Sequence, residues 1–333
     1  MRILVVAFVF FAMLGIFSTP ALAQQQTCQL VDLDNAGNNW FGSFALPAPI
    51  PSHPAFGGKE YDPSRPVAPG EVVTALVSGT TTSATAVANG DWPTILGGWS
   101  VTVNGVSAPI HDSGPVTAAV LHDTSLGTAV TAVTFQVRYD VTGYTANSVP
   151  YANIVLSGPG GCTTGGQTVL MAAVPALYGN GLFTQAVVQD AVTGVDGSHP
   201  LTSGWITVYG FGFGKLVRAT VAGKPFEAQP NSLDQTGSVE VLIDGVGAPV
   251  SYAGTAPGTV GTYQVNAQVP AWAVDNLHPY RFGEVRLNGQ LVANFQYAVA
   301  YVCPADIKTC PDGTSSRRSG ADCSFSCPTA PTQ

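Results

Sequence analysis

Val101-Thr-Val-Asn-Gly-Val-Ser-Ala-Pro-Ile110 returns 140 residues later as Val241-Leu-Ile-Asp-Gly-Val-Gly-Ala-Pro-Val250. In each copy an Asn-Gly or Asp-Gly pair separates two runs rich in β-branched residues. That pattern predicts a β-hairpin closed by a type I′ turn, whose two central residues must both take positive φ. Two further blocks recur in the same order: Val73-Thr-Ala-Leu-Val-Ser-Gly79 against Ile206-Thr-Val-Tyr-Gly-Phe-Gly212, and Phe135-Gln-Val-Arg138 against Tyr263-Gln-Val-Asn266. Blocks matched at such long offsets describe a duplicated all-β unit of about 130 residues, longer than most solenoid repeats.

The rest of the chain fits that unit. Short Val/Thr/Ala-rich runs are punctuated by 38 Gly and 25 Pro, only 10% of residues are charged, and no amphipathic stretch of helical period intervenes. This is the grammar of Ig-like β-sandwiches. The predicted fold is therefore all-β, with sandwiches over 66–174 and 175–302. Residues 24–65 form an N-terminal segment ending in the Pro-rich stretches Pro47–Pro54 and Asp62–Pro66, which resist helix and central strand alike.

Arg2, the apolar stretch Ile3–Phe17 and the small-residue site Ala21-Leu22-Ala23 read as a signal peptide over 1–23, cut before Gln24. The expected protein is secreted or extracytoplasmic, with no stable membrane span after cleavage. Loss of Arg2 leaves 11 basic against 20 acidic residues, a net charge of −9. Such a chain lacks the basic footprint of a nucleic-acid binder.

Six cysteines in an oxidising compartment point to disulfides rather than metal ligation. Cys303, Cys310, Cys323 and Cys327 crowd into the 303–333 tail, which has too few apolar residues to hold a core and so calls for two covalent staples. Three pairings are open there; crossed links, Cys303 with Cys323 and Cys310 with Cys327, suit a core-poor segment best. Elimination pairs Cys28 with Cys162, tying the N-terminal segment to the first sandwich.

Pro249-Val-Ser-Tyr-Ala-Gly-Thr-Ala-Pro-Gly-Thr-Val-Gly-Thr-Tyr-Gln-Val-Asn-Ala-Gln-Val-Pro270, with Pro93–Gly105 upstream, resembles an uncharacterised C-terminal domain family of secreted acidobacterial proteins over about 68–302. The resemblance implies paired Ig-like units of the IPT/TIG type. Phe135-Gln-Val-Arg-Tyr-Asp140 and Val141 depart from that family's usual Gln-Ile-Asn strand and following proline. The tail, with Cys310-Pro-Asp-Gly313, Arg317, Arg318 and Cys323-Ser-Phe325, is similar to a CPDG-type cysteine module of exported proteins. Neither resemblance implies an activity or a catalytic residue.

Asp112-Ser113-Gly114 matches the aspartic-protease triplet, but its approximate mate Asp123-Thr124-Ser125 lacks the glycine, and both read as loop turns. Asp32-Leu-Asp34 opens like a calcium loop. Ala36 and Ser43 stand where ligands belong, so an Asx-rich turn is expected and Asp32 and Asp34 are only a weak calcium pair. Gly210-Phe-Gly-Phe-Gly214 reads as a strand-end feature. Trp92 and Trp272 are the candidate ligand-contact residues, because aromatic side chains at loop tips offer stacking faces. The expectation is a non-enzymatic binding or structural protein meeting an extracellular protein or glycan, with no cofactor. An extracellular hydrolase or a carbohydrate-binding accessory subunit is the alternative.

Overall fold

The computed structural model describes residues 28–35, 66–88, 90–116, 129–146, 149–178, 185–186, 188–198, 200–201, 203–234, 238–273, 280–299, 306–319 and 324–327. Among them the architecture is all-β. Among the described residues there are five sheets and no α-helix, with 3-10 turns at Pro159–Gly161 and Ala271–Ala273. The signal peptide and residues 36–65 lie outside the described residues.

Two sheets enclose each of two cores. In the first unit one sheet runs in the order Gln29–Asn35, Val72–Ser78, Val130–Gln136, Ile110–Val116, Thr85–Ala86. Its mate orders Thr163–Val169, Val149–Ser157, Trp99–Val103 and Ile95–Leu96, with Val106–Ala108 also on Trp99–Val103. Alternation along Trp99–Val103 turns Trp99, Val101 and Val103 inward, and Phe135, Ile110, Ile154 and Leu156 meet them in one buried cluster. The second unit repeats the layout. Trp205–Phe211 pairs Tyr263–Gln268, which pairs Val250–Thr255, and opposite them stands the order Gln290–Ala298, Tyr280–Leu287, Val239–Ile243, Val246–Ala248. Its separate core holds Ile206, Val241, Ile243, Tyr263, Phe295 and Tyr297.

The duplication extends to register. Val101 faces Ala108 and Val103 faces Val106, as Val241 faces Ala248 and Ile243 faces Val246. A β-bulge follows at the same place in each copy, between Ile110 and Asp112 and between Val250 and Tyr252. One sequence match is displaced. Val73 pairs Phe135 while its counterpart Ile206 pairs Ala267, so Phe135 corresponds to Ala267, four residues beyond Tyr263. An even shift keeps every side chain on its face of the sheet, which is why the displaced motif still looked periodic.

Three readings need correction or extension. The residues Asp32 and Asp34 stand in the strand Gln29–Asn35, antiparallel to Val72–Ser78, rather than in an Asx-rich turn. The N-terminal segment thus supplies the edge strand of the first unit, burying Leu30 and Leu33. Its equivalent in the second unit is split between Ala176–Leu177 and Val188–Asp190, both paired to Trp205–Phe211. Asp112-Ser113-Gly114 likewise lies within the strand Ile110–Val116, because the bulge lets this polar triplet stay in the ladder. Asp123-Thr124-Ser125 falls outside the described residues.

Cys28–Cys162 bridges the edge strand to the opposite sheet across a separation of 134 residues, as expected from elimination. In the tail, Ile307–Thr309, Ser315–Ser319 and Ser324–Phe325 form a three-stranded sheet closed by Cys310–Cys327. Cys303 and Cys323 lie outside the described residues. Arg318 stacks 4.3 Å above the Phe325 ring and pairs with Asp306, contacts that stand in for a core.

Asn104 and Gly105 have φ of 53° and 78°, and Asp244 and Gly245 have 46° and 80°, the type I′ signature in both copies. A Cβ at Gly105 or Gly245 would meet open space, so only backbone strain opposes a larger residue. Gly105→Ala and Gly245→Ala are each expected to destabilise by about 1 kcal/mol through that strain. Urea unfolding checks this; an unchanged midpoint in either variant contradicts the turn assignment.

Candidate functional site

The strand Val130–Gln136 ends at a buried carboxamide that faces the second unit. Gln136 donates through Nε2 to the Gly70 carbonyl at 3.1 Å and to the Tyr139 hydroxyl at 3.3 Å, while its Oε1 accepts from the Gly223 N–H at 2.7 Å. The Tyr139 ring packs onto the second core, and its hydroxyl is hydrogen-bonded to that of Tyr263. Tyr263 in turn donates to the Gly214 carbonyl at 2.9 Å. On the same junction the Trp92 N–H donates to the Gly223 carbonyl at 2.7 Å, and Lys224 pairs with Asp91 at 3.1 Å. Gly223, at φ 76°, fits because it lacks a Cβ, which would stand 2.5 Å from the Pro109 side chain.

Gly223 and Lys224 belong to the segment 215–234, which folds back on itself through an isolated bridge between Leu216 and Leu233. A buried Asn231 imitates a strand inside this loop. Its Oδ1 accepts from the Arg218 N–H at 2.9 Å, and its Nδ2 donates to the Arg218 carbonyl at 2.9 Å and the Thr220 hydroxyl at 3.2 Å. The Arg218 guanidinium then closes over the Gln229 and Pro230 carbonyls at 3.1 and 3.0 Å. These bonds satisfy loop backbone that no sheet reaches.

The loop encloses a cleft of about 330 Å³. Phe226 and Thr255 contribute to its lining together with Val221, Glu227, Gln229 and Lys224. Arg218 and Lys224 are offset by Glu227 at 3.9 Å from Arg218 and by Asp91 at 3.1 Å from Lys224, so the charges around it nearly cancel. Trp92 is not part of this lining: its backbone N–H reaches Gly223, the chain neighbour of Lys224, and its half-exposed indole lies 4.7 Å from the His111 ring, whose Nδ1 is 2.6 Å from Asp112. Polar side chains outnumber apolar ones in the lining, with Phe226 and Val221 supplying apolar surface beside them.

Trp272 stands apart from this constellation. It lies on the Ala271–Ala273 turn, 46% exposed, with the Arg281 guanidinium 5.7 Å from its ring centroid. Arg281 is itself buried and held by Asp244 at 2.8 Å and the Ala273 carbonyl at 3.1 Å, so the indole rests on a fixed cation. Asp32 of the calcium pair is buried in its strand. Among the described residues no group of three His, Cys, Asp or Glu side chains could hold a metal.

None of the residues singled out in the sequence lines the cleft; Trp92 reaches its neighbourhood through the backbone bond to Gly223. The cleft itself went unread: Arg218, Lys224, Gln229 and Asn231 follow neither a period of two nor of 3.6. The one available signal was local density, since three of only 12 basic residues fall between Lys215 and Lys224.

Comparison with known proteins adds little. No family model and no curated protein matches the chain. Among solved structures it is similar to SGBP-B of the Bacteroides ovatus mixed-linkage glucan utilization locus, solved in complex with a mixed-linkage heptasaccharide, at 14% identity and a TM-score of 0.25. That likeness covers 76% of this chain and 51% of the other, so the chain spans about half the length of its match. A superposition this loose carries no argument about ligand.

The junction tyrosines make a pH prediction. Burial pushes the phenols of Tyr139, Tyr263 and Tyr297 far up and that of Tyr178 to about 12, whereas an unfolded tyrosine ionises near pH ~10. A folded pKa above the unfolded one gives stability that is complete below about pH 10 and is lost as pH rises towards the folded values. Tyrosinate absorbance of these four should therefore appear together with loss of near-ultraviolet circular dichroism. All 11 tyrosines titrating while the dichroism persists would contradict the packing.

Proposed function

We propose that this chain is an extracytoplasmic, non-enzymatic binding protein that takes a glycan in the cleft of loop 215–234, with the nearby Trp92 indole as a stacking face. One observation carries the reading: hydrogen-bonding side chains of nearly cancelling charge line a cleft of the second unit together with Phe226 and Val221, and Lys224 of that lining pairs with Asp91, the chain neighbour of Trp92. Sugars present both chemistries at once. Their C–H faces pack on aromatic rings, and their hydroxyls need donors and acceptors such as Gln229, Lys224 and Glu227. The Cys28–Cys162 and Cys310–Cys327 bonds favour a compartment where thiols are oxidised.

Affinity electrophoresis of the full mature chain in gels containing hydroxyethylcellulose, glucomannan, dextran or polygalacturonate tests this. Retardation by at least one polysaccharide is expected, with Trp92→Ala and the exposed-site variant Glu227→Ala each weakening it roughly tenfold, a loss of about 1.4 kcal/mol. Retardation unchanged in both variants, at wild-type thermal stability, removes the cleft from the function.

A further inference from the structure

The strand Tyr280–Leu287 alternates strictly, turning Arg281, Gly283, Val285 and Leu287 towards the core and Tyr280, Phe282, Glu284 and Arg286 outward. Soluble β-sandwiches usually place polar residues on such an outer face. Here Phe282 is 58% exposed and Tyr280 42% exposed. They are successive residues of one row, so their Cα atoms stand about 7 Å apart along the strand. Register sets an amide next to each neighbouring position, with Gln296 directly opposite Phe282 and Asn294 opposite Glu284. Leu291, also exposed, faces Arg286 at the far end of the row.

The charges on this row cancel. Arg286 donates twice to the Glu284 carboxylate, at 2.7 and 3.0 Å, and the neighbouring strand adds exposed Glu240 opposite Arg286 and half-buried Leu242 opposite Glu284, so among the described residues the one unneutralised charge on this face is acidic. A protein interface of useful affinity would need a contiguous apolar core, and packing this row against another would bury the Glu284–Arg286 pair away from water at a desolvation cost. An uncharged polymer of linked sugars meets no such penalty. It can lay C–H faces on Phe282 and Tyr280 and direct hydroxyls to Gln296, Asn294 and the ion pair without removing either charge from water. An acidic polymer is disfavoured by the net charge of −8 carried by the chain.

We infer that the outer face of the sheet built on Tyr280–Leu287 is a second carbohydrate surface, selective for neutral polysaccharides and separate from the junction cleft. The inference rests on reading the chain as a glycan binder, but on different residues. Tyr280 and Phe282 are paired to Gln290–Ala298 on one side, and on the other the Phe282 N–H donates to Asp244 Oδ1 at 3.1 Å, so the backbone under the rings is held before binding.

The test uses the full mature chain with Phe282→Ala, Tyr280→Ala, the double variant, and Trp92→Ala as the cleft reference, in the same gels. Both rings are exposed, so thermal midpoints should stay at the wild-type value. The expected result is retardation by a neutral polysaccharide that falls roughly tenfold in Phe282→Ala and further in the double variant, with polygalacturonate not retarding the chain. Loss in the two ring variants with Trp92→Ala unaffected supports this face and sinks the cleft. Loss in Trp92→Ala with the ring variants unaffected overturns this face and leaves the cleft. Binding of polygalacturonate alone, or of no polysaccharide, overturns the inference. So does concentration-dependent self-association in light scattering that Phe282→Ala abolishes, since the row would then be an interface between copies.

Discussion

The buried carboxamide of Gln136 is the constraint on which the arrangement of the two units depends. It spends one donor on its own unit and its acceptor on Gly223 of the next, and its remaining donor reaches the Tyr139 hydroxyl that continues to Tyr263 and Gly214. Each of these groups is buried or nearly so, and an unpaired polar group at such a depth costs about 1–3 kcal/mol. The network is therefore satisfied as a whole or not at all. Because the bond to Gly223 also fixes the segment leading into Lys224 and Phe226, the same network that docks the sandwiches shapes the cleft.

Legibility in the sequence followed the range of the interactions. The hairpins at Asn104-Gly105 and Asp244-Gly245 were readable because a two-residue turn encodes its own geometry. Asn104 and Asp244 also share a task invisible in the string: the side-chain oxygen of each accepts the N–H of the neighbouring strand, from Asn153 and from Phe282. The aspartate adds a second role by pairing with Arg281, a residue whose counterpart in the first unit is Ala152, so the copies have diverged at the end that carries Trp272. The strand Gln29–Asn35 was missed because its partner Val72–Ser78 lies beyond the Pro-rich stretch and its two aspartates mimic a cation loop. Loop 215–234 was opaque for another reason: its order comes from side chains, Asn231 and Arg218, standing in for a backbone ladder.

Electrostatics unify the two proposed surfaces. With only 10% of its residues charged, the chain pairs much of what it has locally, as in Lys224–Asp91, Arg281–Asp244 and Glu284–Arg286. The exposed pair Lys224–Asp91 adds little stability, on the order of 0–1 kcal/mol. The effect of these pairs here is to leave polar, nearly neutral surfaces beside aromatic rings. Such surfaces suit ligands rich in hydroxyls and poor in charge, and binding to them should respond weakly to salt.

The central claim is that the ligand cleft of loop 215–234 is shaped by its docking on the first sandwich across the Gln136 junction, so that binding is felt on both sides of it. Heteronuclear NMR titration of the mature protein with a retarding polysaccharide measures this most directly. The account predicts that the indole N–H of Trp92, in the first unit, and the backbone amides of Gly223, Lys224 and Asn231, in the second, shift together with a single saturation curve. Saturable binding that leaves Trp92 and Gly223 unmoved would contradict it.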